Sequence, residues 1–313
     1  MNHSPNHSLR TEFLGQSLPS PLVLPSGILG MSHGSLRYAL EKGYGLVTTK
    51  SLSLSPREGH EGPVVARFAG GVLNSLGLCN PGIDEGLREV ARFVEATGAP
   101  VLVSLFAVNR PDFVELARRA CDGAGSFIEL NLSCPNVMDE FGVPLAASRD
   151  LVADIVEGVK KVCRLPVVAK LSPNALDLPS IALAAQEAGA DGVTLINTLG
   201  PGLLIDTTAR KPVLHPRFGG ISGPAILPLA LKIVHECSGV LKVPVIGMGG
   251  VSTGDDAVQM LMAGASLVGV GTAVWLSGIG VVDEINLGIR EYLEREGIPS
   301  VAGIPKLETG HER

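Results

Sequence analysis

Eight short apolar runs alternate with amphipathic helical patterns along most of the 313 residues, and this alternation limits the available folds more than any other feature. The apolar runs cover 22–26, 45–49, 101–106, 127–132, 166–171, 191–196, 243–247 and 266–270. Helical patterns fall near 35–42, 83–97, 111–121, 148–163, 177–188, 222–238 and 253–263, with a last one near 281–295. The pattern at 177–188 carries its own boundaries. Asp177 can cap it, Pro179 suits its first turn and Gly189 can end it, while Ile181, Ala182, Ala185 and Ala188 make one apolar face. Strands alternating with helices favour a parallel sheet covered on both sides. Eight such units in roughly 250 residues is the arithmetic of an α/β fold of the (β/α)8 TIM barrel type.

An internal echo fits this reading. LPVVAKLSPN (165–174) leads through a helix to AGADGVTLINT (188–198), as VPVIGMGGVS (243–252) leads to AGASLVGVGT (263–272). No composition break or low-complexity linker divides the chain, so 1–313 is expected to be a single barrel domain. Residues 1–17 are expected to be a flexible or peripheral N-terminus and 300–313 a flexible tail. Two connections, about 51–82 and 197–221, exceed ordinary loop length, and long loops after barrel strands usually carry function.

Composition removes several function classes. Hydrophobic residues make up 45% and charged residues 18%, enough for a large core, and the net charge of −6 offers no basic surplus for nucleic acid. The five cysteines, Cys79, Cys121, Cys134, Cys163 and Cys237, are odd in number and form no C-x-x-C. That argues against a disulfide framework, a zinc site or an iron–sulfur cluster held by this chain alone. The seven histidines lack metal-ligand spacing, so no metal site is expected. MNHSPNHSLR lacks a signal-peptide pattern, and no apolar run reaches the roughly 18 residues of a membrane span. The expected setting is cytoplasmic and reducing.

In a barrel the strand ends share one rim, where active sites form. Here they supply Ser26-Gly27, then Lys50-Ser51, then Asn131 with Cys134, then Lys170, then Asn197-Thr198, then Gly249-Gly250, and last Gly271-Thr272. The stretch ELNLSCPN (129–136) is the densest. It gathers Asn131, Ser133, Cys134 and Asn136 at a strand end, which suits a polar planar ligand and thiol-based proton or nucleophile chemistry. It reads equally well as a buried structural cysteine before an ordinary turn. Either lysine alone reads as a solvated strand end. The glycine pairs after strands seven and eight are turns entering helices, where backbone N–H groups can approach a phosphate. Simple turn chemistry is the alternative account of them. No G-x-G-x-x-G dinucleotide fingerprint occurs. In the long loops, LNSLGLCNPG (73–82) offers Asn74 and a glycine-flexed backbone, and 196–226 reads as an excursion with a hairpin returning at Gly223. Asp206, Arg210 and Lys211 in it are expected to be solvated.

Taken in order, PSG, TTKS, NSLGLCNPG, NLSCPN, AKLSPN, INT, ISGPAI, GMGGV and VGT resemble the class 1 dihydroorotate dehydrogenases, from about Leu18 to Ala273. The resemblance implies a (β/α)8 barrel with FMN over its C-terminal rim and oxidation of dihydroorotate to orotate in pyrimidine biosynthesis. It gives Cys134 the role of base at C5, with the hydride leaving C6 for FMN, and Lys50 a catalytic place beside it. It places Lys50, Asn74, Leu76, Gly77, Leu78, Asn131, Asn136, Asn197 and Thr198 around the pyrimidine. It assigns Ser26, Lys50, Ser51, Asn131, Lys170, Ile196, Gly223, Gly249, Gly250, Gly271 and Thr272 to FMN. INT and KPVL are more similar to the NAD-linked subfamily, which implies a separate iron–sulfur, FAD-containing electron-transfer subunit and a homodimer core. Two departures stand out. Ser104 occupies a third-strand position where that subfamily usually carries Asn, and the lid segment 137–150 differs from its glycine-rich version. Three rivals stay open on sequence alone: another FMN barrel reductase of pyrimidine-type substrates, a Schiff-base lyase using Lys170, and a flavin-binding subunit without turnover.

Overall fold

The computed structural model describes residues 8–133 and 148–308. Its centre is a closed barrel of eight parallel strands: β1 Leu22–Leu24, β2 Leu46–Thr48, β3 Val101–Leu105, β4 Phe127–Asn131, β5 Val167–Lys170, β6 Gly192–Leu195, β7 Val245–Met248 and β8 Leu267–Gly269. Each strand pairs with its neighbours in sequence, and β8 closes onto β1 through Val268–Leu22 and Gly269–Val23. The helices are α1 His33–Glu41, α2 Ile83–Thr97, α3 Arg110–Cys121, α4 Arg149–Lys160, α5 Leu178–Glu187, α6 Leu227–Ser238, α7 Gly254–Met262, α8 Thr272–Ser277 and α9 Val281–Arg295. The barrel expected from the alternation is therefore the observed fold.

Helix α5 shows why these boundaries were readable. Asp177 accepts from Ser180 N, Pro179 lies in the first turn, and Ile181, Ala182 and Ala185 are buried. Helix α6 differs from expectation, beginning at Leu227 rather than near 222. Gly219–Ser222 pairs as a strand, Gly223 adopts φ 104, and Pro224–Ile226 forms a 3-10 turn before the helix. A hydrophobic run alone cannot separate those three states.

Because side chains alternate across a strand, every second residue faces the barrel axis. At the N-terminal end the inward set is apolar: Val23, Leu46, Leu102, Phe127, Val168, Ile246 and Leu267 form one cluster. That cluster is closed from below by a hairpin, Thr11–Phe13 paired antiparallel with Gln16–Leu18, which the sequence reading treated only as periphery. Phe13 and Leu18 are fully buried in it, and Phe13 packs edge-to-face on Phe127 at 5.6 Å. The two ends of the described chain also meet, Ser8 N donating to Pro299 O (3.0 Å) and Val301 N to Ser8 O (3.2 Å). Helix α9 is tied to both sides of β1, where Asn286 accepts from Ser20 Oγ before the strand (2.8 Å) and donates to Gly43 O in the β1–β2 connection (2.8 Å).

The two long loops combine at the other end. Leu199–Gly202, Gly219–Ser222, Gly71–Asn74 and Val65–Phe68 form, in that order, a four-stranded antiparallel sheet beside the C-terminal rim. A short hairpin, Ile205–Asp206 with Lys211–Pro212, projects from it, and Asp206, Arg210 and Lys211 are exposed as expected.

The plug gives a stability prediction. Phe13→Ala should cost about 3–5 kcal/mol in denaturant unfolding, the usual range for emptying a buried aromatic site. A loss below about 1 kcal/mol would mean that the hairpin does not close the barrel core.

Candidate active site

Moving two residues along β2, β3, β4, β5 and β6 changes the inward face to polar. Leu46 is followed by Thr48 and Lys50, Leu102 by Ser104, Phe127 by Glu129 and Asn131, Val168 by Lys170, and Gly192 by Thr194. All of these polar residues are buried. Most of them join one hydrogen-bonded chain. Thr194 Oγ1 donates to Glu129 Oε2 (3.2 Å), Ser104 Oγ donates to Glu129 Oε1 (2.9 Å), and Ser104 Oγ lies 3.0 Å from Ser51 Oγ. Ser51 Oγ lies 3.1 Å from Ser26 Oγ and accepts from Asn131 Nδ2 (3.1 Å). Asn131 Oδ1 accepts from Ser133 Oγ (2.6 Å), whose oxygen in turn accepts from Asn197 Nδ2. Ends of β1, β2, β3, β4 and β6 are thereby locked to one another, as buried polar groups require.

Above this chain opens a cavity of ≈ 790 Å³. Of the residues singled out from the sequence, Ser26, Lys50, Ser51, Asn74, Leu76, Gly77, Leu78, Asn131, Lys170, Ile196, Asn197, Thr198, Gly249, Gly250, Gly271 and Thr272 all line it. Gly223 does not. It sits behind the wall, where its carbonyl oxygen would lie 2.9 Å from a Cβ placed on Gly250. Cys134, Asn136 and the lid segment through 147 lie outside the described residues, although Ser133 lines the cavity. Ser104 does not line it; it is fully buried below, between Ser51 and Glu129.

The charge of the lining is one-sided. Lys50, Lys170 and Arg57 face the cavity, and no Asp or Glu is among its described lining residues. Lys50 is 7% exposed and its ammonium has no hydrogen-bond acceptor among the described residues, while Lys170 Nζ has only Glu129 Oε1 at 4.0 Å. Burial pushes the Lys50 pKa below its usual value; Cys79 offsets part of that and the Lys170 charge adds to it. Two desolvated cations without partners in contact are costly unless an anion completes the site.

The glycine turns offer a backbone surface for such an anion. Gly249 has φ 134 and Gly250 φ 83, conformations that disfavour side chains, and a Cβ on either would come within 2.7 Å of Ala230 or Leu227. One expectation needs correction. The Gly249-Gly250 turn does not enter a helix directly: α7 is capped by Thr253, and Asp256 accepts from Ser252 N (2.9 Å) and Thr253 N (2.9 Å). Its own carboxylate already answers that helix end, so any anion at Gly249-Gly250 meets glycine backbone rather than a free helix terminus.

The opposite wall comes from the paired loops. Gly77 (φ 72) and Leu78 (φ 56) both take left-handed conformations, Leu76 O accepts from His60 N (3.2 Å), and Asn74 Nδ2 donates to Gly220 O (3.3 Å). Sequence reasoning missed Arg57, His60, Phe106, Phe218, Met248 and Trp275, which also line the cavity. The Arg57 guanidinium stands 5.8 Å from the Phe106 ring centre, a contact across distant segments that spacing does not encode. Asn174, also lining, closes the AKLSPN motif already singled out.

A family model described as "Dihydroorotate dehydrogenase" matches residues 8–293. The chain belongs to this family. It is 43% identical over 297 residues to "Dihydroorotate dehydrogenase B (NAD(+)), catalytic subunit" of Pyrococcus furiosus, covering 95% of this chain and 97% of that protein. The like-named subunits of Alkaliphilus metalliredigens and Methanocaldococcus jannaschii are 38% and 37% identical, covering 95% and 93% of this chain and 97% and 95% of theirs. In this member of the family the barrel rim carries buried cations, converging carboxamides and a glycine turn.

Lys50 gives a test that needs no ligand. Lys50→Met should raise the stability of the ligand-free protein at neutral pH, by about 1 kcal/mol or more, because it removes an unpaired buried charge. The folded pKa is depressed, so the unfolded chain holds the extra proton between the folded value and the ordinary 10.5. The penalty is therefore full below the folded pKa and is relieved as pH rises toward 10.5. Urea unfolding at neutral and alkaline pH should show an advantage for the Met variant that shrinks with pH. A Met variant less stable at neutral pH would contradict this.

Proposed function

We propose that this chain is the FMN-carrying catalytic subunit of a class 1, NAD-linked dihydroorotate dehydrogenase, oxidising dihydroorotate to orotate in de novo pyrimidine synthesis. The observation that carries the proposal is the cavity itself. In a chain of this family and of net charge −6, the rim cavity is lined by cations and amides and by no acid among its described residues. Substrate and cofactor are both anionic, and a low-dielectric cleft of one sign concentrates the opposite one.

The residues fit FMN. The Gly249-Gly250 turn, where any Cβ would collide with its surroundings, and the uncapped start of α8 at Gly271-Thr272 suit a single phosphate. Ser26, Ser51, Asn131, Lys170 and Ile196 would hold the ring system, with Gly223 shaping the wall behind. When bound, FMN supplies the acceptor for the hydride from C6 of the substrate.

The chain supplies the rest. Asn74, Asn131, Asn197 and Thr198 carry donors and acceptors matched to the edges of a pyrimidine, and Asn136 is assigned with them. Leu76, Gly77 and Leu78 form the covering wall. Lys50 stands where a substrate carboxylate would restore the partner that its ammonium lacks. Cys134 takes the proton from C5, as a thiolate or with help in losing its own proton.

Reduction of NAD is assigned to a partner. Relatives carry the words "NAD(+)" and "catalytic subunit" in their names. This chain has no G-x-G-x-x-G, and no cluster of three metal-ligating side chains occurs among its described residues. A second subunit bearing FAD and an iron–sulfur cluster would carry electrons onward from a homodimeric core. No described helix is long and apolar enough to cross a membrane; a cytoplasmic setting is part of the same proposal.

One assay series tests this. With dihydroorotate, the isolated chain should bleach its flavin and reduce an artificial dye, but should form NADH only when the partner is added. Cys134→Ala should keep FMN yet lose about 10²–10⁴-fold in dye reduction at neutral pH, and Cys134→Ser should recover part of the loss at high pH. Rapid NADH formation by the chain alone would remove the partner. Near-normal turnover in the alanine variant would remove Cys134.

A further inference from the structure

The barrel interior holds one charged group that the chemistry above leaves unused, the carboxylate of Glu129. It is 1% exposed and does not line the cavity, yet it stands at the centre of the polar layer. Ser104 Oγ donates to Oε1 (2.9 Å) and Thr194 Oγ1 to Oε2 (3.2 Å), while Lys170 Nζ lies 4.0 Å from Oε1. The Lys170 distance is too long for a hydrogen bond. The ammonium is therefore attracted by the carboxylate without giving it a proton donor, and its hydrogens remain available to the cavity. On the other side the chain runs from Glu129 through Ser104 and Ser51 to the Asn131 amide, which does line the cavity.

We propose that Glu129 is a positioning residue for the rim, a fixed negative charge that anchors Lys170 and the Ser104–Ser51–Asn131 chain and moderates the positive charge presented to a bound flavin. The proposal rests on the flavin reading given above. Two inward-facing lysines and one carboxylate leave a small positive surplus, and removing the carboxylate raises it. Two-electron reduction makes a flavin more anionic, so a more positive floor favours the reduced form. Ser104, which departs from the Asn usual in the subfamily it resembles, is on this account a link to the carboxylate rather than a contact for the cofactor.

The test is the midpoint potential of the FMN-loaded chain, measured by dye-equilibrated photoreduction. Glu129→Gln keeps shape and removes charge. It should strengthen binding of reduced over oxidised flavin by about tenfold, about 30 mV upward for a two-electron couple. Ser104→Ala keeps the charge and cuts the chain, and should leave the potential near wild type while weakening FMN binding several-fold. A Glu129→Gln potential equal to or below wild type would overturn the proposal, as would equal upward shifts in both variants. If Glu129→Gln does not fold, Glu129→Asp must hold the wild-type potential, and an upward shift there of about tenfold in the same ratio overturns the charge account. A chain that takes up no flavin would remove the flavin reading instead. Calorimetric binding of orotate, an anionic probe, then decides this inference: about tenfold tighter binding by Glu129→Gln supports it and unchanged binding overturns it.

Discussion

Placing two ammonium groups inside a parallel barrel is the constraint on which the rest of this structure depends. Lys50 and Lys170 sit on the inward face of strand ends, buried, with one carboxylate 4.0 Å from the second of them. Hydrocarbon filling would be the more stable choice for such a position. What the chain builds around the lysines instead is a layer of hydroxyls and amides that joins five strand ends into one network. Neither ammonium donates a hydrogen bond into that layer among the described residues, so both remain available to an anion in the cavity.

The cost of that layer is met at the opposite end. There the inward residues are aliphatic or aromatic, and the Phe13–Leu18 hairpin seals them from water. A barrel core divided in this way explains why the rim can hold polar and charged groups without loss of the fold. It also explains why the two long loops pair as a sheet beside the rim. Pairing satisfies their backbone groups and presents Asn74 and Leu76–Leu78 across from the strand ends, closing a wall that the barrel alone cannot make.

Much of this was legible in the sequence because a strand has a period of two and a barrel has one functional rim. Once the eight apolar runs are placed, Lys50, Asn131, Lys170, Asn197 and the glycine pairs must share a face, and they do. What stayed hidden was non-local. The plug strands are three residues long, too short for periodicity, and their partners lie a barrel's length away in sequence. Arg57 and Trp275 reach the cavity only through tertiary packing. Glu129 was in view inside ELNLSCPN but reads there as part of a buried strand, and only the distances to Ser104, Thr194 and Lys170 show why an acid belongs in it. The α7 terminus was misread for a local reason: Asp256, four residues beyond Ser252, reaches back to occupy it.

The most direct test of the central claim is a crystal structure of the chain soaked with FMN and orotate. The account predicts the orotate carboxylate in contact with Lys50, the pyrimidine edge on the Asn74, Asn131 and Asn197 amides, and the FMN phosphate on Gly249-Gly250 and Thr272. Orotate density away from Lys50, or a flavin phosphate that avoids the glycine turns, would contradict it.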